Sequence, residues 1–162
     1  MPLTRSLGGS VSGLSADPPL AAALHAAGVR VAQPAAPHGP RAIVGSAREL
    51  QHRDALWRRA VANPDASGLT AWIDAAGATY VWNAERGTTQ LVPRATAVIV
   101  ATTDGFAATD PPVVIVVGTT HGAALSAAPL LADNPDLVRN ATALCLDAAG
   151  TVVCRGGSGL VP

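Results

Sequence analysis

Residues 112–123 read Pro-Val-Val-Ile-Val-Val-Gly-Thr-Thr-His-Gly-Ala, and this stretch decides how the chain folds. The run 113–117 consists of β-branched residues between a proline and a glycine, which is typical of a strand buried on both faces. The following segment, 123–132, is helical by composition, although Pro129 must kink it or shorten it. The stretch therefore predicts a buried central strand with a helix close behind it.

A capping box upstream of this strand marks the start of another helix. The Ser46 hydroxyl is spaced to accept from the Glu49 amide, while the Glu49 carboxylate reaches back to the amide of Ser46. Apolar residues then recur at helical spacing until Asn63-Pro64 ends the pattern. We predict a helix over 47–62.

Elsewhere the apolar period changes to two, which indicates strands. One hairpin is predicted from 69–74 with 78–83 and another from 144–147 with 151–154, both around an Asp-Ala-Ala-Gly turn. We interpret this shared turn as convergent turn chemistry, with an internal duplication as the alternative. The other predicted elements are a helix over 18–27, strands near 29–31, 43–44, 88–92 and 95–102, and a proline-rich loop over 33–41.

The chain's two cysteines lie on the arms of the second hairpin. Cys145 and Cys154 are expected nearly opposite each other, with Cα atoms about 5.5 Å apart. In a reducing cytosol we expect free thiols, whereas an exported protein would allow a bridge. Two cysteines at this spacing are neither a disulfide framework nor a zinc knuckle.

These elements predict an α+β fold that has a mostly antiparallel sheet with helices packed on one or both faces. A chain of 162 residues fits one domain. We assign 17–155 to this single domain, 1–16 to a mobile arm rich in Gly and Ser, and 156–162 to a linker or tag remnant.

Composition excludes several classes of function. A formal net charge of zero creates no long-range field, so we expect no nucleic-acid partner. The apolar runs are too short to span a bilayer, and no signal-peptide core follows Met1, which predicts no membrane insertion and a cytoplasmic location, or export without a Sec signal. Every basic residue is arginine and none is lysine, which indicates a GC-rich source such as an actinobacterium.

The sequence assembles no recognisable catalytic centre. The four histidines lack zinc-ligand spacing and adjacent carboxylates, so we predict no metal site and no cofactor. With two glutamates in the chain, one of them in the capping box, a paired-glutamate acid/base site is excluded. Residue types that nucleophilic catalysis uses do occur, without a known context. They are Ser126, Cys145, Cys154, His121, Asp104 and Asp110.

One candidate site is the loop Gly118-Thr119-Thr120-His121-Gly122. It follows a buried strand and opens a helix, where backbone N–H groups are able to hold an anion. It lacks the lysine of a P-loop and the full dinucleotide fingerprint, which favours a structural turn.

The other candidate site is the outward face of helix 47–62. Arginine is suited to bidentate contacts at protein interfaces, while a merely solvated face is the alternative interpretation. The polar residues of this face are His52, Arg53, Arg58 and Arg59. The three tryptophans, Trp57, Trp72 and Trp82, are interpreted as core residues, because the chain is otherwise poor in large apolar side chains, and a binding groove is the alternative.

A series of residues between Glu49 and about Thr103 follows a wider pattern of capped helix, strand, glycine turn and proline-containing extended segment. They are Leu50, Trp57, Ala71-Trp72, Tyr80-Val81, and Gly87 through Leu91-Val92-Pro93-Arg94. This order resembles the C-terminal α+β domains of mycobacterial type VII (ESX) secretion-associated proteins. The resemblance implies a domain that binds partners and carries no transferable catalytic residues.

We therefore expect a non-enzymatic protein-interaction module, accessory to type VII secretion, that binds another protein or its own copies. The alternative is a small enzyme or an anion- or nucleotide-binding domain that uses the loop 118–122, with His121 and Asp104 close together. A deep polar pocket at that loop would favour the alternative.

Overall fold

A computed structural model describes residues 41–130 and 142–161, and in addition residues 15, 16, 18 and 22. The predicted helix 18–27, the strand near 29–31 and the loop 33–41 lie outside the described residues, apart from single positions. The same holds for the mobile arm 1–16, of which Ser15 and Ala16 are described.

The strands form two sheets. In chain order they are β1 Ser15–Ala16, β2 Arg41–Ser46, β3 Ala71–Ile73, β4 Thr79–Asn83, β5 Thr88–Leu91, β6 Ala97–Thr103, β7 Pro112–Gly118, β8 Ala143–Leu146, β9 Val152–Arg155 and β10 Gly159–Leu160. The large sheet has the order β1-β2-β7-β6-β8-β9-β10, and the small sheet has the order β3-β4-β5. The valine-rich run predicted as the central strand is β7, which is buried along its length because both of its neighbours, β2 and β6, are fully formed.

The large sheet is mixed. Strand β2 runs parallel to β1 and to β7, whereas the pairs from β7 through β6, β8 and β9 to β10 are antiparallel. The small sheet is wholly antiparallel. The α+β class and the mostly antiparallel pairing are therefore confirmed, while the parallel pairing of β2 with β7 is an addition that the sequence did not indicate.

Four helices have both of their ends within the described residues. They are α1 Ala47–Arg53, α2 Ala55–Ala62, α3 Pro64–Ser67 and α4 His121–Ala127. The predicted single helix 47–62 is wrong in one respect, because Asp54 has extended backbone angles and divides it. The Asp54 carboxylate accepts from the Trp57 amide at 2.8 Å and so caps α2, which is a usual role for aspartate at a helix start. Helix α4 begins at His121, two residues before the predicted start.

Both faces of the large sheet are covered. On one face α4 packs its alanines against side chains of β2, β6, β7 and β8. On the other face α1, α2 and the inner face of the small sheet cover the alternate residues of the same strands, with Trp57 at the centre of this layer. Residues 113–117 serve both layers, which is why the run shows no polar alternation. None of the described helices approaches the length and hydropathy of a membrane-spanning segment.

The segment 156–161, predicted as linker or tag remnant, lies along the sheets. Strand β10 pairs with β9, and the Gly157 amide donates to the Trp82 carbonyl oxygen at 3.0 Å. These bonds join the edge of the large sheet to the small sheet.

Candidate functional site

The carboxyl ends of the parallel strands β2 and β7 lie side by side, because Ser46 is in register with Gly118. From this edge α1 leaves toward one face of the sheet and α4 toward the other. Adjacent parallel strands whose helices diverge in this way form a crevice, and in open α/β sheets ligands bind in such crevices. The loop 118–122 forms one wall of this crevice.

A side-chain hydrogen bond crosses the crevice. Nδ1 of His121 lies 2.9 Å from Oε2 of Glu49, and the same oxygen accepts from the Ser46 amide at 2.8 Å. The capping box predicted from Ser46 and Glu49 is thereby confirmed, since the Glu49 amide also donates to the Ser46 hydroxyl. The hydrogen bond from the Ser46 amide, and after it the one with His121, lowers the pKa of Glu49 below its usual value.

The contact between His121 and Glu49 is better suited to a structural role than to acid–base catalysis. The two side chains are 38% and 46% exposed, so water screens their attraction. A carboxyl group with a lowered pKa is a weak general base at neutral pH. The contact therefore ties the starts of α1 and α4 together. The sequence did not indicate it, because it depends on the parallel pairing of β2 with β7.

Several polar groups of the loop 118–122 form hydrogen bonds within the chain itself. A Cβ atom at Gly118 would meet the Thr120 carbonyl oxygen and the Ala124 amide, so this glycine permits the close approach of strand and helix. The Thr120 hydroxyl accepts from the Ala123 amide at 3.1 Å and caps α4, while Thr119 donates to the Thr96 carbonyl oxygen. Gly122 faces open space. These contacts describe a capped strand-to-helix turn.

A cavity of about 470 Å³ nevertheless lies beside this loop, between α4 and the turn that joins β8 to β9. Its polar lining comes from Thr96, Thr119, Thr120, Ser126 and Asp147, and the rest is alanine, glycine and Leu146. The Asp147 carboxylate already accepts from the amides of its own turn and from Arg94. The lining includes no lysine or arginine that would neutralise a phosphate. The volume suits a small molecule, whereas the chemistry does not suit a nucleotide.

The remaining candidate groups do not come together. Asp104 follows the carboxyl end of β6, and His121 follows that of β7, which is antiparallel to β6. The two residues therefore lie at opposite ends of seven-residue strands, roughly 20 Å apart. The expected closeness of Asp104 and His121 is thus wrong. Asp110 accepts from the Ala107 amide in the β6–β7 turn.

The cysteines and acidic residues also offer no reactive centre. Cys145 and Cys154 form a buried disulfide with Cα atoms 4.9 Å apart, which confirms their predicted proximity. Within 41–130 and 142–161, no group of three or more His, Cys, Asp or Glu side chains is arranged to hold a metal ion.

The predicted interaction face of α1 and α2 is exposed, but its arginines also contact their own chain. Arg53 donates to the Val44 carbonyl oxygen, and Arg58 donates to backbone carbonyl oxygens at the end of α1. Arg59 donates to the Asp104 carbonyl oxygen and lies 5.4 Å from the centre of the Phe106 ring. His52 is exposed on the same helix. These contacts orient the guanidinium groups and reduce their freedom to pair with a partner.

A second exposed surface lies on the small sheet, where a tryptophan binding groove was the less favoured interpretation of the sequence. The small sheet buries Ala71, Ile73 and Val81 on its inner face, so the alternate side chains point away from the core. These outward residues are Trp72, Tyr80, Trp82 and Leu91, and we call them the aromatic face. The strand register aligns Trp72, Tyr80 and Leu91 in one row across the three strands.

The aromatic face is apolar and partly accessible, since its three aromatic residues are half-buried and Trp72 also packs against the core. The rings of Trp72 and Tyr80 stack with centroids 5.7 Å apart, and Leu91 is 53% exposed. Trp57 is a core residue as predicted, whereas Trp72 and Trp82 are partly exposed. The chain has three Trp, one Tyr and one Phe, so this face collects most of its aromatic surface. The period-two placement of Trp72, Tyr80 and Trp82 in the predicted hairpin was the signal that pointed to it.

Comparison with protein-family models, with curated proteins and with solved structures finds no match to this chain.

Proposed function

We propose that the chain is a non-enzymatic protein-interaction module that docks a partner protein on the aromatic face. The observation that carries the proposal is the alignment of Trp72, Tyr80 and Leu91 across a sheet whose other side is fully packed. Tryptophan and tyrosine are enriched at the energetic centres of protein interfaces. They lose few rotamers on binding, so their burial against a partner is efficient.

The arginine face of α1 and α2 remains the second predicted surface for the same function. Its guanidinium groups already bond to backbone carbonyl oxygens, whereas the aromatic face offers apolar area without charge. Removing apolar area from water is the main favourable contribution to association. We therefore assign the larger share of binding to the aromatic face.

The test compares the two faces in one experiment. Tagged wild-type protein, the double variant Tyr80→Ser/Leu91→Ser and the triple variant Arg53→Glu/Arg58→Glu/Arg59→Glu are each incubated with an actinobacterial lysate. Retained proteins are identified and quantified by mass spectrometry, and circular dichroism checks that each variant keeps the wild-type fold. We expect a protein retained by wild type to fall by about tenfold or more with the aromatic-face variant and by less with the arginine variant.

Equal retention by wild type and the aromatic-face variant would overturn this assignment. Loss with the arginine variant alone would move the surface to α1 and α2. A hydrolytic or transfer activity in an unbiased substrate screen would overturn the non-enzymatic proposal as a whole.

The disulfide supports a proposal about compartment. Disulfides persist in oxidising environments outside the cytosol, and Cys145 and Cys154 are bonded. A location outside the cytosol is therefore favoured over a cytoplasmic one, in agreement with the resemblance to type VII secretion-associated domains. Labelling of thiols in freshly lysed cells, before and after reduction, would measure the bonded fraction.

A second candidate function rests on the cavity of about 470 Å³ beside the loop 118–122. Its hydroxyl-rich lining suits a small, uncharged polar ligand. Because the lining lacks lysine and arginine, we expect no saturable heat when ATP, GTP or NAD is titrated at millimolar concentration. A clear isotherm that Gly122→Val abolishes would instead support the nucleotide-binding alternative.

A further inference from the structure

Strand β5 is an edge of the small sheet. It pairs with β4 on one side, and no strand of the described part of the chain pairs with it on the other. Such an edge presents a row of backbone N–H and C=O groups to solvent. Proteins commonly block these edges with charged residues, with proline or with a bulge. Strand β5 reads Thr-Thr-Gln-Leu and contains no charged residue, proline or bulge, so its protection is limited to its length of four residues and to Pro93 beyond its end.

The register shows which backbone groups point outward. The Val92 amide donates to the Thr79 carbonyl oxygen, and Gln90 is the partner of Val81. In an antiparallel pair, hydrogen bonding to one neighbour alternates along the strand. The N–H and C=O groups of Thr89 and Leu91 are therefore directed away from β4.

We infer that β5 pairs antiparallel with β5 of a second copy of this chain. Pairing with Gln90 opposite the second copy's Gln90 places each Thr89 opposite a Leu91, and both outward N–H and both outward C=O groups of each strand are then bonded. The two small sheets become one six-stranded sheet. The aromatic faces join into one continuous surface, since Leu91 of each copy lies beside the seam.

Three observations favour a second copy as the occupant of this edge. Pairing about a two-fold axis bonds the same donors and acceptors on both strands. Two-fold symmetry is the commonest symmetry of homodimers. Strand β5 has no charged side chain, so no like charges lie opposite each other within its four paired residues. The net charge of the whole chain is zero, which removes long-range repulsion between copies. This inference goes beyond the proposed function, because it stands on the strand edge and not on the aromatic side chains.

The test is the mass of the full chain in solution over a range of concentrations, measured by sedimentation velocity. We expect a monomer–dimer equilibrium in wild type. Thr89→Pro removes an amide that does not bond to β4, and proline is tolerated on an edge at such a position. We expect its dimer dissociation constant to rise by about tenfold or more. The matched control is Thr89→Val, which keeps the amide and the strand preference and should dimerise like wild type.

A second measurement covers the case in which Thr89→Pro fails to fold. Leu91→Lys keeps every amide but places two lysines at the seam, and it should also reduce the dimer. In wild type, amide exchange at Thr89 and Leu91 should slow as protein concentration rises. The inference is overturned if wild type is monomeric up to about millimolar concentration, or if the dimer survives both Thr89→Pro and Leu91→Lys. Thr89→Pro leaves the side chains of the aromatic face unchanged, so loss of the dimer in this variant with partner capture retained would separate this result from the proposed function.

Discussion

The hairpins β3–β4 and β8–β9 share one turn and differ in almost everything around it. In both, the aspartate carboxylate accepts from two backbone amides at 2.9 Å, those of Ala76 and Ala78 for Asp74, and the equivalent pair for Asp147. The glycine three residues after the aspartate has a positive φ in each case, 89° at Gly77 and 80° at Gly150. Identical local chemistry has produced identical local structure.

The strands that leave these turns follow different registers. In the first hairpin the pairing runs without interruption, and Trp72 faces outward opposite Tyr80. In the second, a shift between Cys145 and Leu146 places Cys145 opposite Cys154. Without that shift Cys145 would face Val153, and the two cysteines would lie on opposite faces of the sheet.

This difference separates what a turn determines from what the surrounding fold determines. The turn determines that the two strands pair. The sheet that these strands join determines which of their residues are buried. Within the described residues the small sheet is covered on one face, so the side chain two residues before the turn aspartate is only half-buried. The large sheet has two covered faces, so the equivalent position is a buried cysteine.

The largest expected effect is the loss of the disulfide, which exists in only one of the two hairpins. The bond joins residues 9 apart, and closure of such a loop stabilises a fold by about 2–3 kcal/mol in the chain-entropy model. We expect reduction of wild type to lower the free energy of unfolding by that amount in urea titrations. The control is Cys145→Ala/Cys154→Ala, which should not respond to the reductant. An unchanged wild-type curve, with reduction verified by mass, would contradict this prediction.

A smaller effect is expected from the turn glycines, and it should be the same in both hairpins. A Cβ atom at Gly77 or Gly150 meets no other atom within 4 Å, so alanine costs only the unfavourable positive φ, about 1–2 kcal/mol. Gly122→Ala is the matched control, because this exposed helical glycine also faces open space and has no positive φ. It should leave stability unchanged or raise it slightly. A large difference between Gly77→Ala and Gly150→Ala would show that the turns are not equivalent.

Whether a feature could be predicted from the sequence depends on how far apart along the chain its interacting residues lie. The capping box, both Asp-Ala-Ala-Gly turns and the pairing of the cysteines depend on residues close in sequence, and all of them were predicted. Asp54 was a local signal that the apolar period concealed, because a helix pattern continues on both sides of it. The pairing of β2 with β7 joins segments about seventy residues apart, and nothing in either segment specifies the other.

The candidate site follows the same division. The Thr120 cap and the need for Gly118 are local and agree with the predicted structural turn. The contact of His121 with Glu49, and the separation of His121 from Asp104, depend on the strand order and were not predictable. The aromatic face could be recognised from alternation within one hairpin. That no element of the described residues packs over it could not be predicted, since this depends on every other element.

The smallest expected effect is a change in the pKa of Asp147, one of the two turn aspartates, when its neighbour Arg94 is removed. Asp147 lies 3.2 Å from Arg94, whose side chain is 77% exposed. The pKa of Asp147 is lowered mainly by the hydrogen bond from the Thr151 amide, and the Ala149 amide and Arg94 lower it further. We expect Arg94→Ala to raise the pKa of Asp147 only part of the way to its usual value of 3.8. The measurement is an NMR titration of the side-chain carboxyl carbon.

The sign of the accompanying stability change follows from linkage. A carboxyl group whose pKa is lower in the folded state stabilises the fold above its unfolded pKa, and this contribution is lost as the pH falls through the folded value. Wild type should therefore lose stability below about pH 4, Asp147→Asn should lose less over that range, and Arg94→Ala should lie between them. The pKa of Glu49 is the internal control, because its lowering comes from Ser46 and His121 and should not respond to Arg94→Ala. A return of the Asp147 pKa to 3.8 in Arg94→Ala would mean that the ion pair, and not the turn shared by the two hairpins, holds this carboxylate in its charged form.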